Sequence, residues 1–345
     1  MKTLVYYPHN QNGDLYESAR NVKNIRDALE MAEVPHTSIP IDEYGVINLV
    51  SSYVDTKMSE VLEKNIPTVI SALYSETDPY YSFLEETINK GNKILNIKNK
   101  DIQLLNKANL VLVPNKKSGE SLKEFGVNTP YKVVVPGVNT ARFDFADEEE
   151  KEIFYRYFKE DHNKKIVIAI GELSNEIDGW NAFVDAAKKS PKVSFYYFAI
   201  AKRNKKIPYF KRGPIYSKPK NAHFYINIPS DVYYSALLNC SVFMIPGHAA
   251  PSILNVMDAM ASKCQIVTRK HLLLEDYIEN EVTGYTAEYS ETLGILIREY
   301  LNGEIKPTIE KAYEFAKMHS LESFGNELKE IYNQLSTGRW FYDWY

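Results

Sequence analysis

The sequence contains few cysteines and no long apolar run. Its two cysteines, Cys240 and Cys264, have none of the spacings of a metal site and are most simply small buried apolar residues. No apolar run approaches the roughly 18 residues that a membrane-spanning helix needs. The opening MKTLVYYPHN has a short apolar run that is typical of a strand and differs from a secretory signal peptide. We therefore expect a cytoplasmic protein.

Two further absences exclude classes of ligand. No G-x-G-x-x-G motif follows the first strand of either half of the chain, which argues against a dinucleotide-dependent dehydrogenase. The formal net charge of -4 over 345 residues argues against a general nucleic-acid-binding protein. We expect no nucleic-acid partner, no resident cofactor and no metal ion.

The chain does contain a regular alternation of short apolar runs with helical periodicity. Residues 3–7 predict a first strand, and residues 15–33 predict an amphipathic helix with apolar side chains three or four positions apart. Further strand-like runs lie at residues 68–73, 94–97, 110–113, 133–135, 166–170, 195–198, 222–226, 241–245 and 265–268. Strands that alternate with helices indicate an α/β fold with parallel sheets and helices on both faces.

The length and the pattern predict two domains that face each other across a cleft. The acidic stretch at residues 144–150 interrupts the apolar pattern, so we place the boundary there. Residues 1–143 and 144–318 are each expected to form a Rossmann-like domain. Ser320 is a plausible N-cap for a last helix, and residues 319–345, with their aromatic tail, are expected to pack back on the first domain.

Residues 245–268 form the segment around which the second domain is organised. They read as the end of a strand, a Pro-Gly loop, a helix over 253–262 and a further strand. Ligands of open parallel sheets usually bind at such a loop, outside the carboxyl ends of the strands.

Several stretches together resemble the family-four retaining glycosyltransferases of the GT-B fold. They are VLVPNKKSGESLKEFGVNTPYKVVVPGVNTARFDF at 111–145, IVIAIGELSNEIDGWNAFVDAA at 166–187, and PSILNVMDAMASKCQIVT at 251–268. The later segments VTGYTAEYSETLGILIREYLNG and HSLESFGNELKEIYNQL resemble the closing part of the same family. Within it, the pattern is most similar to the bacterial diglycosyl-diacylglycerol synthases.

The resemblance implies a function and a division of labour between the domains. It implies transfer of a hexosyl group from a nucleotide sugar to a lipid-linked or cell-envelope acceptor. The first domain would lie on the acceptor side and the second on the donor side. By the resemblance, the donor-site positions are Gly171, Glu172, Asp178, Ala250, Ser252, Ile253, Leu254 and Asp258.

Several of these positions depart from the family pattern, and Ile253 is one of them because it replaces an expected small residue. Glu172 and Asp178 stand where the family has an Arg and a Lys that neutralise the departing diphosphate. Ala250 stands at the first position of the family's Glu-x7-Glu pair and can accept no hydrogen bond. Asp258 stands at the second position and retains a carboxylate that can accept a hydrogen bond from a ribose hydroxyl.

Two functions therefore stay open, and no catalytic residue is assigned. One is an active hexosyltransferase. The other is a non-catalytic relative, a pseudoenzyme subunit that binds glycan, glycolipid or an active partner glycosyltransferase. The alternative to a donor-site role is that Glu172 and Asp178 are solvated loop carboxylates and that Asp258 is a surface helix residue.

The acceptor side and the membrane contact are predicted from other stretches. Gly13, Tyr74 and Asp78 are the acceptor-side candidates by the resemblance. Lysine-rich stretches, the second with interspersed aromatic residues, suit an anionic bilayer surface, although a solvated loop is the open alternative. The candidate membrane contacts are Lys93, Lys98, Lys100, Lys205, Lys206, Tyr209, Phe210, Lys211 and Arg212. They would place the protein at the inner face of the cell membrane.

Overall fold

A computed structural model describes most of the chain. The described residues are 2–7, 17–50, 62, 65–72, 99–172, 179–200, 218–247, 252–271 and 273–338. The strand-like run predicted at 94–97 and the aromatic tail after residue 338 lie outside them.

The described residues contain strands and helices in alternation. The strands are β1 (Thr3–Tyr6), β2 (His36–Thr37), β3 (Val46–Leu49), β4 (Thr68–Ser71), β5 (Leu110–Val113), β6 (Tyr131–Val133), β7 (Ile166–Glu172), β8 (Ser194–Ile200), β9 (Ala222–Ile226), β10 (Val242–Ile245), β11 (Gln265–Arg269) and β12 (Tyr285–Ala287). The helices are α1 (Glu17–Met31), α2 (Asn99–Leu105), α3 (Lys116–Glu124), α4 (Ala141–Asp144), α5 (Glu148–Phe158), α6 (Trp180–Lys189), α7 (Ser230–Leu238), α8 (Ile253–Ala261), α9 (Ser290–Leu301), α10 (Ile309–Met318) and α11 (Leu321–Ser336).

The first sheet has six strands in the order β2-β1-β3-β4-β5-β6, and every pair is parallel. Its strands β1, β3, β4 and β5 are buried along their whole length. Continuous burial is typical of parallel strands that are covered on both faces. Helices α1 and α11 pack on one face, and α2 and α3 contribute to the core on the other.

The second sheet also has six parallel strands, in the order β12-β11-β10-β7-β8-β9. Counted from β7, this is the order of a doubly wound dinucleotide-type sheet, and the strand order reverses between β7 and β10. Helices α6 and α9 cover one face. The prediction of two Rossmann-like parallel sheets is confirmed.

The C-terminal helix α11 completes the core of the first sheet. Ser320 is its N-cap and its side chain accepts a hydrogen bond from the Ser323 backbone amide. The buried face of α11 joins the core that contains α1 and the inner residues of β3 and β4. Lys329 Nζ donates to the Ala32 carbonyl 3.0 Å away, just beyond the end of α1, where the helix dipole favours a cation. The predicted return of the last helix to the first domain is confirmed.

The described chain divides into two compact units. One comprises Met1–Val138, Ser252–Leu254 and Met318–Tyr345, and the other comprises Asn139–Pro251 and Asn255–Lys317. The acidic stretch at 144–150 forms the end of α4 and the start of α5. Asp147 and Glu150 make a capping box there, in which each side chain bonds the other's backbone amide.

Candidate functional site

The point where the strand order of the second sheet reverses is an opening at the carboxyl ends of β7 and β10. These two strands pair only at Val167–Val242 and Ile168–Phe243. Beyond those pairs, β10 continues along β11 to Ile245, and β7 continues along β8 to Glu172. The two strands therefore separate towards their carboxyl ends, which is where open α/β sheets bind ligands. Gly171, a predicted donor-site residue, lies on β7 at this end.

The start of α6 lies directly against the loop that follows β10. Gly179 is the N-cap residue of α6 and has a left-handed backbone, with φ of 76°. A Cβ at this position would lie 2.3 Å from the Pro246 carbonyl carbon and 2.4 Å from the Gly247 nitrogen. Only glycine allows both the positive φ and this approach. The contact fixes the amino end of α6 beside the opening.

The start of α8 follows the loop after β10. Ser252 precedes the helix, Ile253 and Leu254 open it, and all three are buried. The first amides of any helix have no partner within the helix and carry the positive end of its dipole. The first turn of α8 holds no acidic side chain that would oppose an anion. This end of α8 therefore suits an anionic group such as a phosphate.

Asp258 lies farther along α8 and is buried, with only 8 % of its surface exposed. The alternative that Asp258 is a surface helix residue is therefore wrong. The hydroxyl of Tyr233, on α7, lies 3.4 Å from Asp258 Oδ2 and 3.1 Å from Asn255 Oδ1. Positions 255 and 258 share one face of α8 because they are three residues apart. Packing of α7 against α8 thus brings three polar side chains together.

Two cations lie at the carboxyl end of β11, the strand next to β10: Arg269 is its last residue and Lys270 follows it. Arg269 Nη1 donates to the Ser290 hydroxyl, and burial lowers the pKa of this guanidinium. Lys270 Nζ lies 3.0 Å from Glu288 Oε1, and that hydrogen bond raises the pKa of Lys270. Both cations are thus held by partners in the segment that follows the neighbouring strand β12.

Most of the predicted site residues lie outside the described residues. The side chains of Glu172 and Lys100 are not described, although their backbones lie on β7 and α2. The positions outside the described residues are Gly13, Tyr74, Asp78, Lys93, Lys98, Asp178, Lys205, Lys206, Tyr209, Phe210, Lys211, Arg212 and Ala250. The predicted exchange of cations for acids at 172 and 178 stays a prediction.

The residue that sequence reasoning missed is Tyr233. Its helix, SDVYYSALL, is dominated by buried side chains, so a tyrosine there reads as part of the apolar core. The available signal was that a buried tyrosine hydroxyl usually needs a hydrogen-bond partner. The identity of that partner depends on how α7 packs on α8.

Comparison with known proteins identifies the second unit. Residues 150–317 match the family model of the glycosyl transferases group 1. This segment is a group 1 glycosyltransferase domain. It contains β7 to β12 and therefore the whole opening at the reversal of strand order.

A curated relative matches this chain almost end to end. The processive diacylglycerol alpha-glucosyltransferase of Acholeplasma laidlawii is 22% identical over 340 residues, which cover 97% of this chain and 98% of the relative. The match therefore includes both sheets.

Solved structures share the fold. Anabaena Alr3699/HepE in complex with UDP and glucose superposes with a TM-score of 0.72 at 15% identity, covering 96% of this chain and 99% of that chain. A glycosyltransferase from Rickettsia africae ESF-5 gives a TM-score of 0.67 at 14% identity, covering 97% and 98%. At such identities the likeness shows the fold, which is GT-B.

Proposed function

We propose that this protein transfers a hexosyl group from a nucleotide sugar to a glycolipid acceptor at a membrane surface. The observation that carries the proposal is the match over 97% of the chain to a processive diacylglycerol alpha-glucosyltransferase. The group 1 glycosyltransferase domain at residues 150–317 supports the reaction class independently. In the reaction, the bond between the anomeric carbon and the diphosphate oxygen breaks, and the nucleoside diphosphate leaves with the electron pair. An acceptor hydroxyl oxygen forms the new bond to that carbon, and the hydroxyl proton is released to the diphosphate or to solvent.

The geometry of the second sheet supports a donor site at the reversal of strand order. The diphosphate would lie at the amino end of α8, where amides of the first turn would donate to it. The ribose would lie farther along, within reach of Asp258, which is six residues or about 9 Å along the helix from Ser252. Ile253 and Leu254 would form part of the wall, and Gly171 would allow close approach to β7.

A transfer assay tests the proposal. The purified chain is incubated with UDP-, GDP- and ADP-sugars and with vesicles that contain diacylglycerol or glucosyl-diacylglycerol, and the lipids are analysed by mass spectrometry. We expect a lipid with one added hexose from one of the donors. Asp258→Ala should lower transfer at least about tenfold, the effect of one hydrogen bond to a charged group. Asp185→Ala, which removes an exposed carboxylate on α6, is the matched control and should leave transfer unchanged.

The transfer assay and a thermal-shift measurement together distinguish the enzyme from the non-catalytic alternative. That alternative rests on Glu172, Asp178 and Ala250. A nucleotide at a hundred times its dissociation constant stabilises a protein by about 2.7 kcal/mol, so binding is measurable by thermal shift without turnover. A chain that is stabilised by glycolipid but neither binds nor uses a nucleotide sugar would contradict the enzyme proposal. If the Ala250→Glu variant transfers hexose faster than the wild-type chain, the loss of glutamate at position 250 limits the rate of transfer.

We also propose that the protein binds the inner face of the membrane peripherally. In the described ranges, no helix is long and apolar enough to cross a bilayer. The proposal rests on the basic and aromatic run that contains Lys205, Lys206, Tyr209, Phe210, Lys211 and Arg212. Each cation near an anionic surface is worth about 1 kcal/mol.

Flotation with vesicles tests the membrane proposal. We expect the chain to float at low salt with vesicles containing phosphatidylglycerol, and to remain in the dense fraction with neutral vesicles. Replacement of the four cations Lys205, Lys206, Lys211 and Arg212 by glutamine should abolish flotation. Equal flotation of that variant would show that this run is not the membrane contact.

A further inference from the structure

The contact between α7 and α8 contains a small buried polar cluster. Tyr233 is fully buried, and Asn255 and Asp258 are 3 % and 8 % exposed. Tyr233 Oη lies 3.1 Å from Asn255 Oδ1 and 3.4 Å from Asp258 Oδ2. Buried polar groups are costly unless they bond one another, so this cluster holds a defined arrangement.

The chemistry of the three groups sets the direction of the hydrogen bonds. A phenol has one proton, so Tyr233 can donate to only one of the two oxygens at a time. A charged carboxylate is the stronger acceptor, which favours donation to Asp258. Asn255 Oδ1, 3.1 Å away, is the second acceptor within reach of the same proton. The Tyr233 hydroxyl thus lies within hydrogen-bond distance of an oxygen of Asn255 and an oxygen of Asp258.

These hydrogen bonds would hold the Asp258 carboxylate in one orientation. The side chain of Asp258 is short for its place in the family. The family pattern has glutamate where this chain has Asp258, and aspartate lacks one methylene group. A shorter side chain has less freedom to reach a ligand, so its direction matters more. Tyr233 bonds Oδ2 from the α7 side, which orients the carboxyl group as a whole.

We propose that Tyr233 is a positioning residue that orients Asp258 to accept hydrogen bonds from the ribose hydroxyls of a nucleoside diphosphate. The inference rests on the proposed donor site and adds to it a residue from a different helix. Tyr233 acts through Asp258 and makes no contact with the reacting atoms.

The test compares two ligands that differ only in the ribose hydroxyls. Calorimetry first identifies which of UDP, GDP and ADP binds the full chain, and then measures that nucleotide and its 2′,3′-dideoxy analogue. We expect the wild-type protein to prefer the ribonucleotide at least about tenfold, as for a hydrogen bond to a charged group. In Tyr233→Phe the preference should fall below about threefold, while affinity for the dideoxy analogue stays within about twofold of the wild-type value.

Two further variants make the result specific. Asp258→Asn should also lose the preference for the ribonucleotide over its dideoxy analogue. Tyr285→Phe is the matched control, because it removes another buried tyrosine hydroxyl of the second sheet, one that donates to the Lys306 carbonyl. It should keep the wild-type preference.

The outcomes separate the inference from the proposed function. If Tyr233→Phe weakens both ligands equally or leaves the preference intact, the positioning role is wrong and the donor site stands. If no nucleoside diphosphate binds the wild-type protein, the proposed function fails and the inference fails with it. Thermal melting of each variant shows whether a loss of binding reflects unfolding.

Discussion

Gly325 on α11 lies against the carbonyl group of Ala28 on α1. A Cβ on Gly325 would lie 1.9 Å from the Ala28 oxygen and 2.9 Å from the Ala32 Cβ. The two helices therefore approach each other at a point where one of them has no side chain. This contact sets how closely α11 packs on α1.

We predict that Gly325→Ala destabilises the first unit. Alanine favours helix formation, but the added methyl group cannot fit, and overpacking of this kind costs about 1–3 kcal/mol. Urea unfolding measures the loss. Asn326→Ala, at the exposed neighbouring position of the same helix, is the control and should be neutral or slightly stabilising. Equal stability of the Gly325 variant and wild type would mean that the helices can separate at no cost.

Gly179→Ala should both destabilise the second unit and weaken donor binding. Alanine at a positive φ costs about 1–2 kcal/mol by itself. At Gly179 the methyl group would also collide with Pro246 and Gly247, which displaces the start of α6 or the loop after β10. Gly303→Ala is the matched control, because Gly303 also has φ of 76° but has no atom within 4 Å of the added carbon. Both variants are compared by thermal melting and by nucleotide titration. Gly303→Ala reports the cost of the positive φ alone, and any larger effect of Gly179→Ala reports the collision.

Tyr332→Phe should destabilise the first unit by about 1–3 kcal/mol. Asn48 Nδ2 donates to the Tyr332 hydroxyl over 2.6 Å, and Ser71 Oγ donates to Asn48 Oδ1 over 2.7 Å. All three side chains are buried, so removal of the hydroxyl leaves the Asn48 amide proton without its acceptor. Tyr44→Phe, whose hydroxyl donates to the Pro40 carbonyl in a part-buried setting, should cost less. Urea midpoints of the two variants give the comparison, and a larger loss for Tyr44 would contradict the prediction.

The second unit should lose stability as the pH falls from about 7.5 to 5. Burial lowers the pKa of His223 and the nearby Lys218 lowers it further, while Glu160 opposes them. The pKa of His223 is lower in the folded state than in the unfolded state, where it is near 6.5. As the pH falls through about 6.5, the unfolded chain therefore binds a proton that the folded chain does not. The contribution of neutral His223 to the free energy of unfolding is complete above about pH 6.5 and declines as the pH falls towards the folded-state pKa. Burial also lowers the pKa of His319, which acts in the same direction in the first unit.

His223→Phe isolates the contribution of His223. The imidazole stacks on Tyr196 with ring centres 4.8 Å apart, and a phenyl ring can keep that contact without titrating. We expect a shallower loss of stability over the same pH range, measured by urea unfolding at half-unit intervals. A slope identical to that of the wild-type chain would assign the pH dependence to other groups.

Much of the fold could be predicted from the sequence because buried parallel strands are continuous apolar runs. The strand at 110–113 and the strand at 222–226 have the predicted bounds, and the helix after residue 252 was expected within one residue of its observed end. The strand expected at 133–135 instead covers Tyr131–Val133, because pairing with β5 sets its position. Strand β12 was not predicted, since three residues of an edge strand carry little pattern.

The candidate site could be predicted only in part. The opening at the amino end of α8 follows from a strand–loop–helix pattern. The burial of Asp258 does not, because it depends on a helix about twenty residues earlier in the chain. Tyr233 and Asp258 are brought together by the packing of α7 on α8, and no local sequence period encodes that contact.

The return of α11 to the first sheet has a consequence for synthesis on the ribosome. The core beside α1 lacks Phe324, Leu328 and Ile331 until those residues leave the exit tunnel. The part of the second unit from Asn255 to Lys317 is translated before α11, so that unit can finish folding while the earlier one still waits with an uncovered apolar face. Nascent chains of this protein would thus be most vulnerable to chaperone capture and proteolysis late in translation, at their amino-terminal half.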